Sequence, residues 1–328
     1  MPNSMDASLY SSATVKTCAV VQGNIRKGTD EVLAFLVRRF DAVILSTWDD
    51  EPPERLPLGD WDLVRSRKPA VAGYSHRNFQ RLTTAAGLRR AEEIGATHVL
   101  KWRTDMLPTK LDVQQLLEWS RFNVPAGMES RLVTGAFRNL TVKDDWFSTM
   151  PDLFAFGDIS LMKTLWGDDS FDYTVSANVP VEMVAETGSQ WLNRPDVGGL
   201  YCAEAELYAI FKSRLQRKLG TPLTHVQIAH NCMRLIDHLR LGICWFGESQ
   251  QFRSINQALQ HPWWTEKTWE SGKPRVSDLG YPDSGLRKSM LRKYLTPWVI
   301  RRELNLQLEW YARYTDSSVQ LGAGKSHR

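Results

Sequence analysis

Asp105 closes the run His98-Val99-Leu100-Lys101-Trp102-Arg103-Thr104-Asp105, in which Lys101, Arg103 and Asp105 fall on one face of an extended strand. A carboxylate beside two cations suits phosphate chemistry. The cations bind phosphate oxygens directly and hold the carboxylate ionised. The carboxylate is also a hard ligand for Mg2+ or Mn2+, whose coordination sphere a diphosphate can fill. Two readings stay open: Asp105 ligates a metal, or Arg103 partly replaces one. The metal on Asp105 is the expectation carried forward, and a turn-capping aspartate is the structural alternative.

Transfer to a hydroxyl needs a general base, usually Asp or Glu. Asp152 is one candidate, within Pro151-Asp152-Leu153-Phe154-Ala155-Phe156-Gly157. Glu206 is another, near the start of a helical pattern, with Glu204 in reserve. Each glutamate has a structural alternative, a favourable interaction with the helix N-terminus. His225 and His230 are candidates for a late metal or phosphate contact, although a lone histidine is more often structural.

These side chains need a sheet to position them. Thr17 to Gly23 reads as a buried strand ended by glycine. A helix follows with Val32, Leu33, Leu36, Val37 and Phe40 on one stripe and Thr29 or Asp30 as cap. Ala42 to Thr47 makes a second strand running into Asp49-Asp50-Glu51. A second helix runs from near Asn78 to Gly95, and His98 to Arg103 is the next strand. Continuous apolar strands joined by helices imply a parallel sheet covered on both faces. Ligands bind such sheets at the carboxyl edge, where Asp105 falls.

Five blocks occur in order: Val21-Gln22-Gly23; Ser46-Thr47-Trp48; Asn78-Phe79-Gln80 with Ala86-Gly87-Leu88; Lys101 to Met106; and Pro151 to Gly157. Together they resemble the WavE-type family of bacterial lipopolysaccharide-core and capsule biosynthesis glycosyltransferases. The family usually has Arg where this chain has Phe79, and beyond Gly157 only Glu206-Leu207-Tyr208 aligns. The resemblance implies a GT-A-like fold: a single α/β/α sandwich with a mostly parallel central sheet. It implies a nucleotide-sugar donor contacted by Gln22, Gly23, Thr47, Trp48, Asn78, Gln80, Lys101 and Arg103, and a lipopolysaccharide or capsular glycan acceptor. Asn78 has helix capping as its structural reading, and the acidic cluster after Trp48 reads equally as a solvated loop.

The expected organisation is a flexible tail over 1–14 and a transferase domain over 15–270. That domain divides into a nucleotide-binding half, 15–110, and an acceptor half, 111–270, in which a helix runs from Ala203 to Lys218. A basic helical extension covers 271–328. Between Asp283 and Glu303 there is no acidic residue, while Arg287, Lys288, Arg292, Lys293, Arg301 and Arg302 fall there. Beside Trp298, Trp310 and Tyr311, that charge predicts either contact with an anionic inner membrane leaflet or a solvated basic face. The net charge of +4 does not suggest a general nucleic-acid binder. The cysteines, Cys18, Cys202, Cys232 and Cys244, have no CxxC spacing and read as reduced thiols. With no leader or spanning run expected, the predicted location is cytoplasmic, or peripheral on the inner membrane face. Two other functions share these features. One is a sugar nucleotidyltransferase, disfavoured by the modest loop Gly23 to Gly28. The other is a non-catalytic sugar-binding or scaffold protein of a polysaccharide assembly complex.

Overall fold

The computed structural model describes residues 16–26, 28–73, 76–135, 138–139, 148–150, 152–169, 171–175, 178, 203–224, 227–236, 238–246 and 252–254. The expected tail, the basic extension, His225 and Cys202 lie outside the described residues.

In chain order the elements are β1 (Thr17–Gln22), α1 (Thr29–Val37), β2 (Ala42–Trp48), β3 (Asp62–Ser66), α2 (Arg77–Glu93), β4 (His98–Arg103) and β5 (Met106–Pro108). There follow α3 (Val113–Arg121), β6 (Leu132–Gly135), the two-residue strands β7 (Arg138–Asn139) and β8 (Ser148–Thr149), β9 (Ala155–Asp158) and α4 (Ile159–Trp166). The last are α5 (Ala203–Leu219), β10 (Met233–Ile236), α6 (His238–Leu241), β11 (Ile243–Phe246) and β12 (Phe252–Ser254).

Seven strands form one sheet in the order β10-β6-β9-β4-β1-β2-β3. All neighbours are parallel except β9, which runs against both β4 and β6. Both halves of the expected domain therefore share one mostly parallel sheet. Its strands β1, β2 and β4 are almost wholly buried, because helices cover both faces. One face packs Val20, Ile44 and Val99 with Leu88, Leu161, Tyr208 and Phe211, from α2, α4 and α5. The other packs Val21, Leu45 and Trp102 with Leu33, Leu36, Leu116 and Leu117, from α1 and α3. No helix among the described residues is long and apolar enough to cross a membrane.

Two helix starts differ from expectation. The cap of α1 is Gly28, at φ 88, instead of Thr29 or Asp30. Thr29 has other work: its hydroxyl accepts from Arg26 N–H at 2.9 Å and donates to Thr104 C=O at 3.2 Å. Asn78 lies inside α2, so it does not cap it. Its amide donates to the carbonyls of Val71 and Val175, each at 2.9 Å.

Gly87 explains how closely α2 lies on the sheet. A Cβ there would meet Val20 Cγ1 at 2.3 Å and Ser46 Cβ at 3.3 Å. Gly87→Ala gains about 1 kcal/mol of helix propensity. Overpacking against a stiff valine costs about 1–3 kcal/mol. The expected net result is a lower melting temperature, measured by thermal denaturation.

Candidate functional site

The chain runs outward from β1 to β2 and β3 on one side, then crosses back to β4 on the other. The carboxyl ends of β1 and β4 therefore flank a topological switch point, where open α/β sheets leave a crevice for ligands. Gln22 and Gly23 lie on one side of it, and Arg103 to Asp105 on the other.

The turn carrying Asp105 is tied down by backbone and side chains together. Thr104 N–H donates to Gln22 C=O at 3.2 Å, and Thr104 Oγ1 donates to Asn24 C=O at 2.7 Å. Trp102 Nε1 donates to Met106 C=O at 2.6 Å. Asp105 sits where the chain leaves the main sheet, because Met106 already pairs with β11 in a second, antiparallel sheet. Gly23, at φ +124, packs against Thr104 with no room to spare: a Cβ would come within 3.1 Å of its Oγ1.

Asp105 is 2% exposed, and both its oxygens are taken by Arg103. Nε donates to Oδ1 and Nη2 to Oδ2, each at 2.9 Å, a two-pronged ion pair. Burial opposes the charge on Arg103. The bonds to Asp105, with the fields of Asp105, Asp152 and Glu204, outweigh that and raise its pKa above the usual guanidinium value. The Arg103 side chain keeps 25% exposure, so it is held in place and still reachable.

One pleat deeper, Lys101 is fully buried on the face covered by α2, α4 and α5. Its ammonium donates to Asp152 C=O and lies 4.8 Å from the centre of the Trp166 ring. Gln80 Nε2 donates to Asp152 Oδ2 at 2.7 Å and to Asp152 C=O at 3.2 Å. Antiparallel pairing of β9 with β4 is what brings Asp152 here. Gln80, Lys101, Arg103, Asp105 and Asp152 thus meet at one edge of the sheet.

Burial lowers the pKa of Lys101 from 10.5 to about 7, against the pull of Asp152. The unfolded chain then binds the proton more tightly than the folded one. The penalty is complete below about pH 7 and is relieved as pH rises toward 10.5. Lys101→Met, similar in volume, is expected to stabilise the fold by about 1–4 kcal/mol. The gain is largest at pH 6 and shrinks toward pH 10 in denaturant titrations.

The other expected contacts are placed differently. Gln22 is buried and accepts from Thr83 Oγ1 at 3.0 Å, linking β1 to α2. Thr47 is fully buried, and its hydroxyl has no hydrogen-bond partner among the described residues. Trp48 donates from Nε1 to Asn24 Oδ1 at 2.6 Å and meets Phe79 edge-on at 5.3 Å. The acidic cluster is divided. Asp50 pairs with Lys68 at the surface, whereas Glu51 turns inward and accepts from Ile25 N–H at 3.0 Å.

Glu206 is buried in an ion pair with Arg77, and its Oε2 also accepts from Asn178 N–H at 3.0 Å. Burial raises its pKa, only partly offset by Arg77 and Arg81. Glu204, half-exposed on the same turn, acts electrostatically on Arg103. His230 is half-buried, with Nδ1 3.2 Å from Asn231 Oδ1.

Among the described residues no group of three or more His, Cys, Asp or Glu could hold a metal ion. With both Asp105 oxygens bonded to Arg103, the protein donors here do not by themselves form a cation cage.

Arg81, Asn24 and Trp166 were not among the expected site residues. Arg81 is 4% exposed, stacked 3.6 Å from the centre of Phe171, and burial lowers its pKa to about 9. Arg77 and Arg81, four apart on a helix that buries Thr84 and Leu88, are the signal that could have drawn attention to this cluster. No protein-family model matches the chain, and no curated protein matches it.

Proposed function

We propose that this chain transfers a sugar from a nucleotide-sugar donor to a glycan acceptor of the lipopolysaccharide or capsule type. The observation that carries the reading is the convergence of Arg103, Lys101, Asp105, Asp152 and Gln80 at the switch point of a mostly parallel sheet. The lone reversed strand and the exit of the chain into a second sheet just after Asp105 are compatible with a GT-A-like fold. The residue blocks that resemble WavE-type transferases supply the acceptor class.

In this reading the diphosphate lies across the ends of β1 and β4. Arg103, aimed by Asp105, meets the negative charge that develops on the departing phosphate oxygen. A carboxylate takes the acceptor hydroxyl proton as the new bond forms at the anomeric carbon and the carbon–oxygen bond to phosphate breaks. Glu204 and Asp152 are the candidates for that base, and Asp152 Oδ1 carries no hydrogen bond among the described residues. Glu206, locked to Arg77, is better suited to holding α5 against α2. In this reading the Arg103 guanidinium, held by Asp105, supplies positive charge at the phosphate. Mg2+ or Mn2+ would enter this reading only with ligand oxygens from the diphosphate.

The test is a nucleotide-sugar panel with and without Mn2+, scored for binding and slow donor hydrolysis, on wild type and Asp105→Ala. Loss of binding or hydrolysis in the variant supports the reading, and unchanged activity sinks it. Mn2+ dependence that disappears with Asp105 would return the metal to that residue. No binding of any nucleotide would favour a non-catalytic scaffold.

A further inference from the structure

Below the Arg103–Asp105 pair, buried donors outnumber the acceptors bonded to them. Lys101 lies two residues inward from Arg103 along β4, about 7 Å deeper. Arg81 lies one turn of α2 below Arg77, about 5 Å deeper. The two cations converge on one indole: Arg81 Cζ is 5.9 Å, and Lys101 Nζ 4.8 Å, from the centre of Trp166. Among the described residues, both Arg81 Nη1 and Trp166 Nε1 are buried without a hydrogen-bond partner. Arg81 and Trp166 are 4% and 2% exposed.

Carboxylates lie near Arg81 but are bonded elsewhere. Glu206 Oε2 is taken by Arg77 and by Asn178 N–H, and the carboxylate reaches Arg81 only through its field among the described residues. Asp168 accepts from Arg89 at 2.6 Å and from Tyr173 at 3.3 Å. Leaving a charged donor unbonded in the interior is costly, and one natural resolution is an acceptor supplied from outside the chain. An apolar or neutral group offers Arg81 nothing of the kind. A planar carboxylate matches the guanidinium fork and can also take the indole N–H.

We propose that Arg81, Trp166 and Lys101 form a subsite at the floor of the donor site that binds the carboxylate of an acidic sugar. The proposal rests on the donor site described above and adds the class of sugar: a uronic-acid type in place of a neutral hexose.

Two pairs of probes separate this subsite from that donor site. The first compares free D-glucuronate with D-glucose, at matched ionic strength, by thermal shift and calorimetry. Stabilisation by glucuronate alone is expected, weakened about tenfold in Arg81→Gln and severalfold in Trp166→Phe, which keeps an aromatic ring but removes the N–H. The second compares UDP-glucuronate with UDP-glucose, the acidic donor binding about tenfold more tightly. Equal responses to acidic and neutral members of both pairs overturn the subsite, even if nucleotides bind. A glucuronate response without binding of any nucleotide upholds the subsite and removes the transferase reading. Should Arg81→Gln fail to fold, Arg81→Lys and Trp166→Phe carry the test, and an undiminished glucuronate response in both overturns the proposal.

Discussion

On the transferase reading proposed above, Asp105→Asn is expected to lower the rate of sugar transfer by about 10²- to 10³-fold, the range typical of losing one preorganised group that stabilises developing charge. The substitution keeps the size of the side chain and removes its charge. Asparagine can accept one bond from Arg103 but not two charge-assisted ones, so the fork loses its fixed orientation. Arg103 is exposed enough to swing toward solvent once released, which limits the loss of stability. Turnover should fall more than donor affinity, because the fork matters most as the phosphate leaves. A double-mutant cycle supplies the decisive number. If Asp105 acts by aiming Arg103, Arg103→Met alone and the pair Asp105→Asn with Arg103→Met are equally slow. Fully additive losses, measured in single-turnover transfer, would mean that Asp105 works on the donor by some other route.

Why the place of Asp105 in the fold was legible in the sequence, and that of its neighbours only in part, comes down to the range of the signal. Strands β1 and β2 are largely apolar runs, β4 sets its two cations among apolar residues, and α2 has clear boundaries, so periodicity carries the sheet and its carboxyl edge. Alternation along β4 puts Lys101 and Arg103 on one face without any tertiary information. The meeting of Lys101 with Asp152 is different. It joins residues 51 apart through a reversed strand of four residues, and nothing local announces that pairing. The choice between Glu204 and Glu206 also depends on packing. Two residues apart on a helix, they point about 200° apart, so only one can face the site. Arg77 buries its charge against Glu206, while Glu204, on another side of the helix, adds its field to Arg103. Thr29 illustrates the same competition: a good cap by type, it is drawn instead to the Thr104 carbonyl.

That buried pair yields the largest expected stability effect. Arg77→Met should cost about 3–5 kcal/mol at neutral pH, because it leaves Glu206 in the interior with one backbone donor and only the field of Arg81. The sign of its pH dependence follows from the raised pKa of Glu206. In the unfolded chain the carboxyl ionises at its ordinary value, while the folded state holds the proton to a higher pH. Stability is therefore kept at low pH and lost as pH rises through the folded pKa. Removing Arg77 raises that pKa further, so the defect should be small at pH 5 and largest at pH 8. Glu206→Gln should cost less than Arg77→Met, since burial already opposes the charge it removes and Gln can still accept from Asn178 N–H. Urea titrations of both single variants and of Arg77→Met with Glu206→Leu measure these differences. In the double variant no buried charge of the pair remains, so most of the loss should be recovered at pH 8. Recovery also requires Arg81 to tolerate an apolar neighbour. A double variant that stays as weak as Arg77→Met would mean that Glu206 balances Arg81 as much as Arg77.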